Sequence, residues 1–183
     1  MARIPFASAE QIPDDQPNIL ARIERERGSV PNIYKVMANA PRLADAFRTL
    51  ALTARNDSGL DPRIRELAIL AVTHSAPSEY EFAHHSPMAR EMGVTAEQLD
   101  ALDEFETSPA FSESERAVVR YACEATRTVK VSDATWEALI THLGSEDALA
   151  VVLQVALYNA SVRITVPLQI ELEPEYLKYT GRP

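Results

Sequence analysis

Apolar residues recur three or four positions apart through most of the chain, as Leu43, Phe47 and Leu50 do. This spacing puts them on one face of a helix, and no alternation of period two lasts long enough to form a sheet. Prolines open several of these segments and glycines close them, which is the usual punctuation of helices. The pattern predicts an all-α bundle of seven to nine helices, over residues 17–27, 31–39, 41–57, 62–75, 78–92, from 95, 112–128, 132–144 and 146–163.

The segment 62–75 differs from the other predicted helices because its second half has no polar face. Leu67 to Val72 is an unbroken apolar run, so this helix should be buried on most sides. Glu66 comes immediately before that run. A buried carboxylate needs a partner, and its protonation state depends on whether desolvation or a nearby arginine prevails. Arg63 or Arg65 could simply neutralise it, or it could belong to a reactive site.

Length and composition predict one compact domain, since 183 residues with 46% hydrophobic content can bury a core. The net charge of −9 argues against nucleic acids and anionic membranes as partners, because binding either needs a clustered basic surface. The apolar run at 67–72 is far shorter than the roughly 20 residues of a membrane span. The first residues lack the long apolar stretch of a signal peptide. The single cysteine, Cys123, cannot form an intramolecular disulfide, so we expect a soluble, cytoplasmic protein.

Candidate chemistry is concentrated in the predicted helix 78–92. Ser78, Glu81 and His85 lie at positions i, i+3 and i+7, so all three project from one helix face. A glutamate one turn from a histidine can orient the imidazole and raise its basicity, which suits a general acid–base pair. The alternative is an ordinary ion pair on a solvated face. His84 diverges from His85 by about 100°, so only one of the two can share the Glu81 face well.

Several stretches of the sequence carry the pattern of a known family. They are Arg65 to Val72, Ser78 to His85, Ala89 with Gly93 to Thr95, Phe111 to Val118, and Ala156 to Asn159 with Arg163. In this order they resemble the carboxymuconolactone decarboxylase and alkylhydroperoxidase D family over roughly residues 30–165. The resemblance implies one domain of the alkylhydroperoxidase D-like type, with an N-terminal helix and arm at 1–29 and a C-terminal tail at 166–183. It also implies a homo-oligomer, a trimer or hexamer, and the tail could lie on a neighbouring subunit.

In the peroxidase branch of that family, a glutamate precedes a Cys-x-x-Cys pair, and a histidine follows the second cysteine by four residues. The corresponding positions here are Glu66, Ser78, Glu81 and His85, so both cysteines are missing. A resolving pair is what permits disulfide turnover, and the resemblance therefore does not imply a dithiol peroxidase. Cys123 lies in a different predicted helix and is more typical of a small buried hydrophobe.

The resemblance then favours the decarboxylase branch, whose substrates are anionic lactones. It implies cofactor-free acid–base chemistry, decarboxylation or isomerisation, on a small anionic lactone or related acid. His85 would be the proton donor or base, with Glu81 as its orienter and Glu66 as a second relay member. The candidate substrate-binding residues are Ser78, His84, Tyr158 and Arg163, with Arg163 or Arg65 as the cation for a carboxylate. For Tyr158 the alternative is a buried hydrogen bond within the helical core.

Two other classes of protein stay open. A metal-binding oxidoreductase is one, because Glu81 and His84 have Glu-x-x-His spacing; helical di-iron proteins use two such motifs, and this chain has one. We therefore expect no metal ligands and no cofactor. A non-catalytic oligomeric binding protein is the other class. The expected partners are a small-molecule substrate and further copies of the chain, with no nucleic acid and no membrane.

Overall fold

The computed structural model describes residues 1–180, and these residues form helices and turns without a β-strand. The α-helices are Ile19–Arg27 (α1), Asn32–Met37 (α2), Pro41–Asn56 (α3), Pro62–Ser75 (α4), Glu79–Glu91 (α5), Ala96–Asp100 (α6), Glu113–Thr128 (α7) and Asp133–Thr165 (α8). Short 3-10 turns are formed by Ala9–Gln11, Leu102–Glu104 and Pro174–Tyr179. The all-α prediction is confirmed. The last three residues of the predicted C-terminal tail, 181–183, lie outside the described residues.

Side-chain caps fix the starts of most helices where the sequence predicts them. At the start of α7, Ser112 Oγ accepts the Glu115 amide at 3.3 Å, and Glu115 Oε2 accepts the Ser112 amide at 2.8 Å. This reciprocal pair is a capping box, which satisfies two amides that the helix itself leaves unpaired. At the start of α4, Asp61 accepts the Arg63 amide at 2.7 Å, directly before a first-turn proline.

The helix α8 combines the two helices predicted at 132–144 and 146–163. Gly144 has φ 74° and ψ 175°, which breaks the helical path, so the two parts form one kinked element. Within the described part of the chain, α8 alone has the length and apolar content of a membrane span. It packs against α4 and α7, and its inner face belongs to the core of the bundle.

The helix α4 lies at the centre of the bundle and packs against α5, α7 and α8. All side chains from Leu67 to Val72 are fully buried, as the unbroken apolar run predicts. Burying each leucine, isoleucine or valine side chain in this run contributes about 1.5–3 kcal/mol. The first turns of α4 are therefore held rigidly, and this rigidity fixes the position of Glu66.

The segment after α8, residues 166–180, folds back over α2 and α5 of its own chain. Gln169 has φ 53° in the turn that reverses its direction. Beyond the turn, Ile170 packs with Ile33, Val36 and Tyr80 in a small apolar cluster. The tail thus contacts its own bundle, whereas the sequence analysis considered a position on a neighbouring subunit.

Candidate active site

A buried carboxylate and a buried imidazole meet where α4 and α5 pack together. Glu66 Oε2 lies 2.7 Å from His85 Nδ1, and the two residues are 0% and 4% exposed. Arg65 donates to the other oxygen, Oε1, at 3.2 and 3.1 Å, and Arg55 Nη1 is 3.7 Å from it. Burial raises the pKa of Glu66, but His85 and the two arginines outweigh it and hold this pKa below its ordinary value. The carboxylate is therefore ionised, and His85 Nδ1 is the donor in the bond.

The second ring nitrogen of His85 faces Glu81. Glu81 Oε2 is 3.9 Å from His85 Nε2, which is too long for a hydrogen bond. The other carboxylate oxygen accepts the Ser161 hydroxyl from α8 at 2.5 Å. With Nδ1 bound by Glu66 and Glu81 held by Ser161, the nitrogen available for proton transfer is Nε2.

The two glutamates therefore contact His85 differently from what the sequence analysis predicted. The sequence analysis made Glu81 the orienter of His85 because they are one helical turn apart, and gave Glu66 a relay position. In the structure Glu66 makes the direct hydrogen bond, since the packing of α4 on α5 brings its carboxylate against Nδ1. Ser161 draws Glu81 towards α8, so this carboxylate stays beside the opposite nitrogen without bonding it.

A cavity of about 290 Å³ opens beside this pair, between α2, α3, α5 and α8. Glu81, His84, His85 and Tyr158 line it, so both histidines reach the cavity. The His85 and Tyr158 rings pack nearly perpendicular to each other, at a centroid distance of 4.7 Å. Burial raises the pKa of Tyr158 well above its ordinary value, and the phenol is neutral at physiological pH.

Arginines from α3 supply the positive charge of the cavity. Arg55 donates to the Tyr158 hydroxyl at 3.4 Å and reaches the cavity beside it. Arg48 also lines the cavity and forms an ion pair with Glu26. The sequence analysis missed both arginines. Their separation by seven residues, two helical turns, was the available signal, because it places them on one face of α3.

Two predicted substrate-binding residues are not in the cavity. Ser78 caps α5 by accepting the Glu81 amide at 3.3 Å, contacts Thr165 at 3.4 Å and is 1% exposed. Arg163 is on the exposed face of α8, where it donates to the side chain of Asn159 at 2.6 Å. Arg65, the other cation considered, donates hydrogen bonds to Glu66 Oε1. Arg55 lines the cavity, whereas Arg65 and Arg163 do not.

His84 belongs to a second carboxylate–imidazole pair. Its Nε2 lies 2.7 Å from Glu173 Oε2, and Glu173 also accepts the Tyr80 hydroxyl at 2.9 Å. Burial raises the pKa of Glu173, but the hydrogen bonds from His84 and from the Asn32 amide lower it to about 2. The sequence analysis missed Glu173, which lies 89 residues beyond His84 and outside any local pattern.

The side-chain arrangement offers no obvious ligand set for a metal ion. In residues 1–180, no three or more His, Cys, Asp or Glu side chains converge as such a set. Glu81 and His84, the Glu-x-x-His pair, bond to different partners, Ser161 and Glu173. Cys123 is 4% exposed in the core, and burial raises the pKa of its thiol. A thiol in this environment is a poor nucleophile.

Comparison with known proteins supports the family resemblance. Residues 41–124 match the model of the carboxymuconolactone decarboxylase family, which confirms the resemblance seen in the sequence. The matched part of the chain contains α4 and α5 with the Glu66–His85 pair. No curated protein sequence matches the chain.

Solved structures share the fold along nearly the whole chain. An uncharacterized peroxidase-related protein with an alkylhydroperoxidase AhpD core, from Ralstonia eutropha JMP134, has a TM-score of 0.81 at 22% identity, covering 100% of this chain and 97% of that one. A cysteine-to-alanine variant of the debrominase Bmp8 in complex with 2,3,4-tribromopyrrole has a TM-score of 0.80 at 20% identity. The match covers 96% of this chain and 94% of that one. An uncharacterized peroxidase-related protein from Silicibacter sp. TM1040 has a TM-score of 0.77 at 19% identity, and the match covers 94% of each chain. The chain therefore has the alkylhydroperoxidase D-like fold.

Proposed function

We propose that this protein performs cofactor-free proton transfer, in a decarboxylation or isomerisation, on a small anionic lactone or related acid. The observation that carries the proposal is the Glu66–His85 pair. An ionised buried carboxylate fixes one imidazole nitrogen as a donor and so directs the other, Nε2, to the cavity. An imidazole oriented in this way is suited to general acid–base catalysis at neutral pH.

The charges around the cavity favour a carboxylate ligand. Arg55 is a permanent cation, and the Tyr158 phenol beside it is a neutral hydrogen-bond donor. Glu66 is already satisfied by Arg65 and His85, so Arg55 keeps capacity for a further anion. A guanidinium and a phenol together can bind an anionic oxygen of the substrate. The cavity of about 290 Å³ is at the low end for ligand pockets, which favours a small molecule.

The reaction follows from this placement. In a decarboxylation, the bond to the departing carboxylate breaks, and its electron pair moves into the conjugated lactone carbonyl to form an enolate. His85 Nε2 in its protonated form then delivers a proton to carbon, and the ring regains that proton from solvent. Arg55 and Tyr158 stabilise the negative oxygen. In an isomerisation, neutral Nε2 removes a proton from one carbon, exchanges it with solvent and delivers a proton to another carbon, with Glu81 stabilising the transient imidazolium.

We also propose that the protein assembles as a homo-oligomer. Exposed apolar side chains follow one face of α8 at helical spacing, and α3 carries another such face. The four on α8 are Leu149, Leu153, Ala156 and Ala160. The α3 face carries Leu43 and Leu50, whereas the exposed Leu52 lines the cavity. Contiguous apolar faces of this kind are typical of protein–protein contacts. A second copy of the chain, which carries the same apolar faces on α3 and α8, is the occupant that we propose.

One screen tests the catalytic proposal against its alternatives. Purified wild type and His85→Ala would be incubated with carboxylated lactones, keto acids and hydroperoxides, with His142→Ala as the control because His142 is exposed on α8. The proposal expects turnover of a lactone or keto acid that is kept in His142→Ala and falls by about 100-fold or more in His85→Ala. Turnover of hydroperoxides alone, or equal activity in all three proteins, would contradict it.

A further inference from the structure

Two consecutive histidines on α5 are each held by a carboxylate from a different part of the chain. His85 pairs with Glu66 on α4, and His84 pairs with Glu173 in residues 166–180, each at 2.7 Å. The proposed chemistry uses the first pair alone. The second pair is as short as the first and is also buried, and its carboxylate, Glu173, lies outside the region that matches the family model.

The Glu173 carboxylate connects three elements. Its Oε1 accepts the Asn32 amide at the start of α2 and the Tyr80 hydroxyl on α5, and its Oε2 bonds His84. The His84 ring also stacks on Tyr176 at a centroid distance of 3.8 Å. Glu173 is 7% exposed, and its hydrogen bonds keep the carboxylate ionised. One side chain therefore joins α2, α5 and the C-terminal segment around a single buried charge.

This arrangement restrains the rotation of α5 about its own axis. Adjacent residues of a helix point about 100° apart, so Glu173, bonded to His84, and Glu66, bonded to His85, hold α5 from two directions. Neither bond can stay at 2.7 Å if the helix turns or slides. Glu81 and His85 move with His84 because all three belong to one rigid helix, whereas Arg55 and Tyr158 belong to α3 and α8.

We propose that Glu173 is a positioning residue of the active site. Acting through His84 and Tyr80, it fixes the rotation of α5 and so places His85 Nε2 against Arg55 and Tyr158. Its importance for turnover rests on the proposed function, but the mechanical link between Glu173 and His85 does not. Active-site groups displaced by about 1 Å lose roughly 100-fold in rate, so a modest rotation of α5 suffices to matter.

The carboxylate form of Glu173 is essential to this role. Three donors converge on it, and an ionised carboxylate accepts all of them through its two oxygens. A glutamine of the same shape has one acceptor oxygen and no charge, so it cannot accept from all three donors. Glu173→Gln therefore breaks the connection without removing side-chain volume.

The test observes His85 in the ligand-free protein. The imidazole nitrogens would be followed by NMR in histidine-labelled wild type, Glu173→Gln and Glu175→Gln; Glu175 is exposed two residues further along. The proposal expects the Nδ1 and Nε2 resonances of His85 to shift in Glu173→Gln and to stay unchanged in Glu175→Gln. It is overturned if the His84 signals move and those of His85 do not. If Glu173→Gln does not fold, His84→Ala removes the imidazole end of the same connection and gives the same readout for His85.

Kinetics supply a second readout once a substrate is found. Glu173→Gln is expected to lower kcat by about tenfold or more while KM changes less, because Arg55 still binds the substrate. Equal kcat in wild type and Glu173→Gln would contradict the positioning role of Glu173. The NMR measurement needs no substrate, so a failure of the proposed function leaves the test of Glu173 intact, and the reverse also holds.

Discussion

Glu66 Oε2 lies 2.7 Å from His85 Nδ1, across the contact between α4 and α5, although nineteen residues separate them in the chain. Arg65 holds the other oxygen of the same carboxylate. The imidazole is therefore fixed by a charged group that has no freedom to move, and its second nitrogen faces a cavity lined by arginine and tyrosine. This relationship links the rigidity of the core to the chemistry that we propose.

Glu66→Gln should lower the free energy of unfolding by roughly 3 kcal/mol, because it leaves the Arg65 guanidinium buried without its counter-charge. Urea unfolding of wild type and variant at pH 7 measures the difference. Glu97→Gln is the matched control, since Glu97 is exposed on α6 and should change stability by less than about 0.5 kcal/mol. A loss below about 1 kcal/mol for Glu66→Gln would mean that the ion cluster is not what holds this site.

Stability should depend on pH through Glu173. Its pKa is lowered from 4.5 to about 2 in the folded protein, so the stabilisation is present above pH 4.5 and is lost as the pH falls towards 2. Glu173→Gln should be less stable than wild type near pH 7 by on the order of 2–3 kcal/mol. The two unfolding free energies should converge on acidification. A constant difference between them from pH 7 to pH 3 would argue against an ionised Glu173.

The helices could be predicted because their signals are local. Apolar spacing, caps such as Ser112 and first-turn prolines act within a few residues. Where a start or an end was predicted, the helix has it within about two residues, apart from the join at Gly144. The continuous apolar run of α4 likewise showed that this helix is buried. Only the join at Gly144 differed, where two predicted helices form one kinked element.

The partners within the site could not be predicted in the same way. Sequence spacing favoured Glu81 as the hydrogen-bond partner of His85. In the folded protein, the packing of α4 on α5 makes Glu66 that partner. Ser161 contacts Glu81 from 80 residues away, and no local pattern links the two. Arg163 was misplaced because α8 is apolar on both faces, so the sequence does not indicate which face turns inward.

Val129 is a position where a substitution should stabilise the protein. It ends α7 with φ 65° and is 84% exposed, so a β-branched residue adopts a left-handed conformation without compensating contacts. Val129→Gly should raise the free energy of unfolding by about 0.5–1 kcal/mol, measured by thermal or urea unfolding. Val166→Gly is the matched control, since Val166 ends α8 with φ −70° and should gain nothing. Equal effects at the two positions would refute the strain argument.

The apolar stripe on α8 should control assembly. The double variant Leu149→Glu, Leu153→Glu should dissociate the proposed homo-oligomer, because it puts charges into the proposed contact. Leu177→Glu is the control, as Leu177 is 57% exposed in the C-terminal segment. Light scattering gives the masses. A wild-type mass near the 20.3 kDa of one chain would contradict the proposed assembly directly.

The most direct test of proton transfer by His85 is deuterium incorporation at carbon. Carboxylated lactones and related acids would be incubated in D₂O with wild type, His85→Ala or His142→Ala and followed by NMR. Wild type and His142→Ala should place deuterium on a carbon of the product or substrate, and His85→Ala should do so about 100-fold more slowly or worse. Equal incorporation by His85→Ala and wild type would show that another group moves the proton, and the central claim would fail.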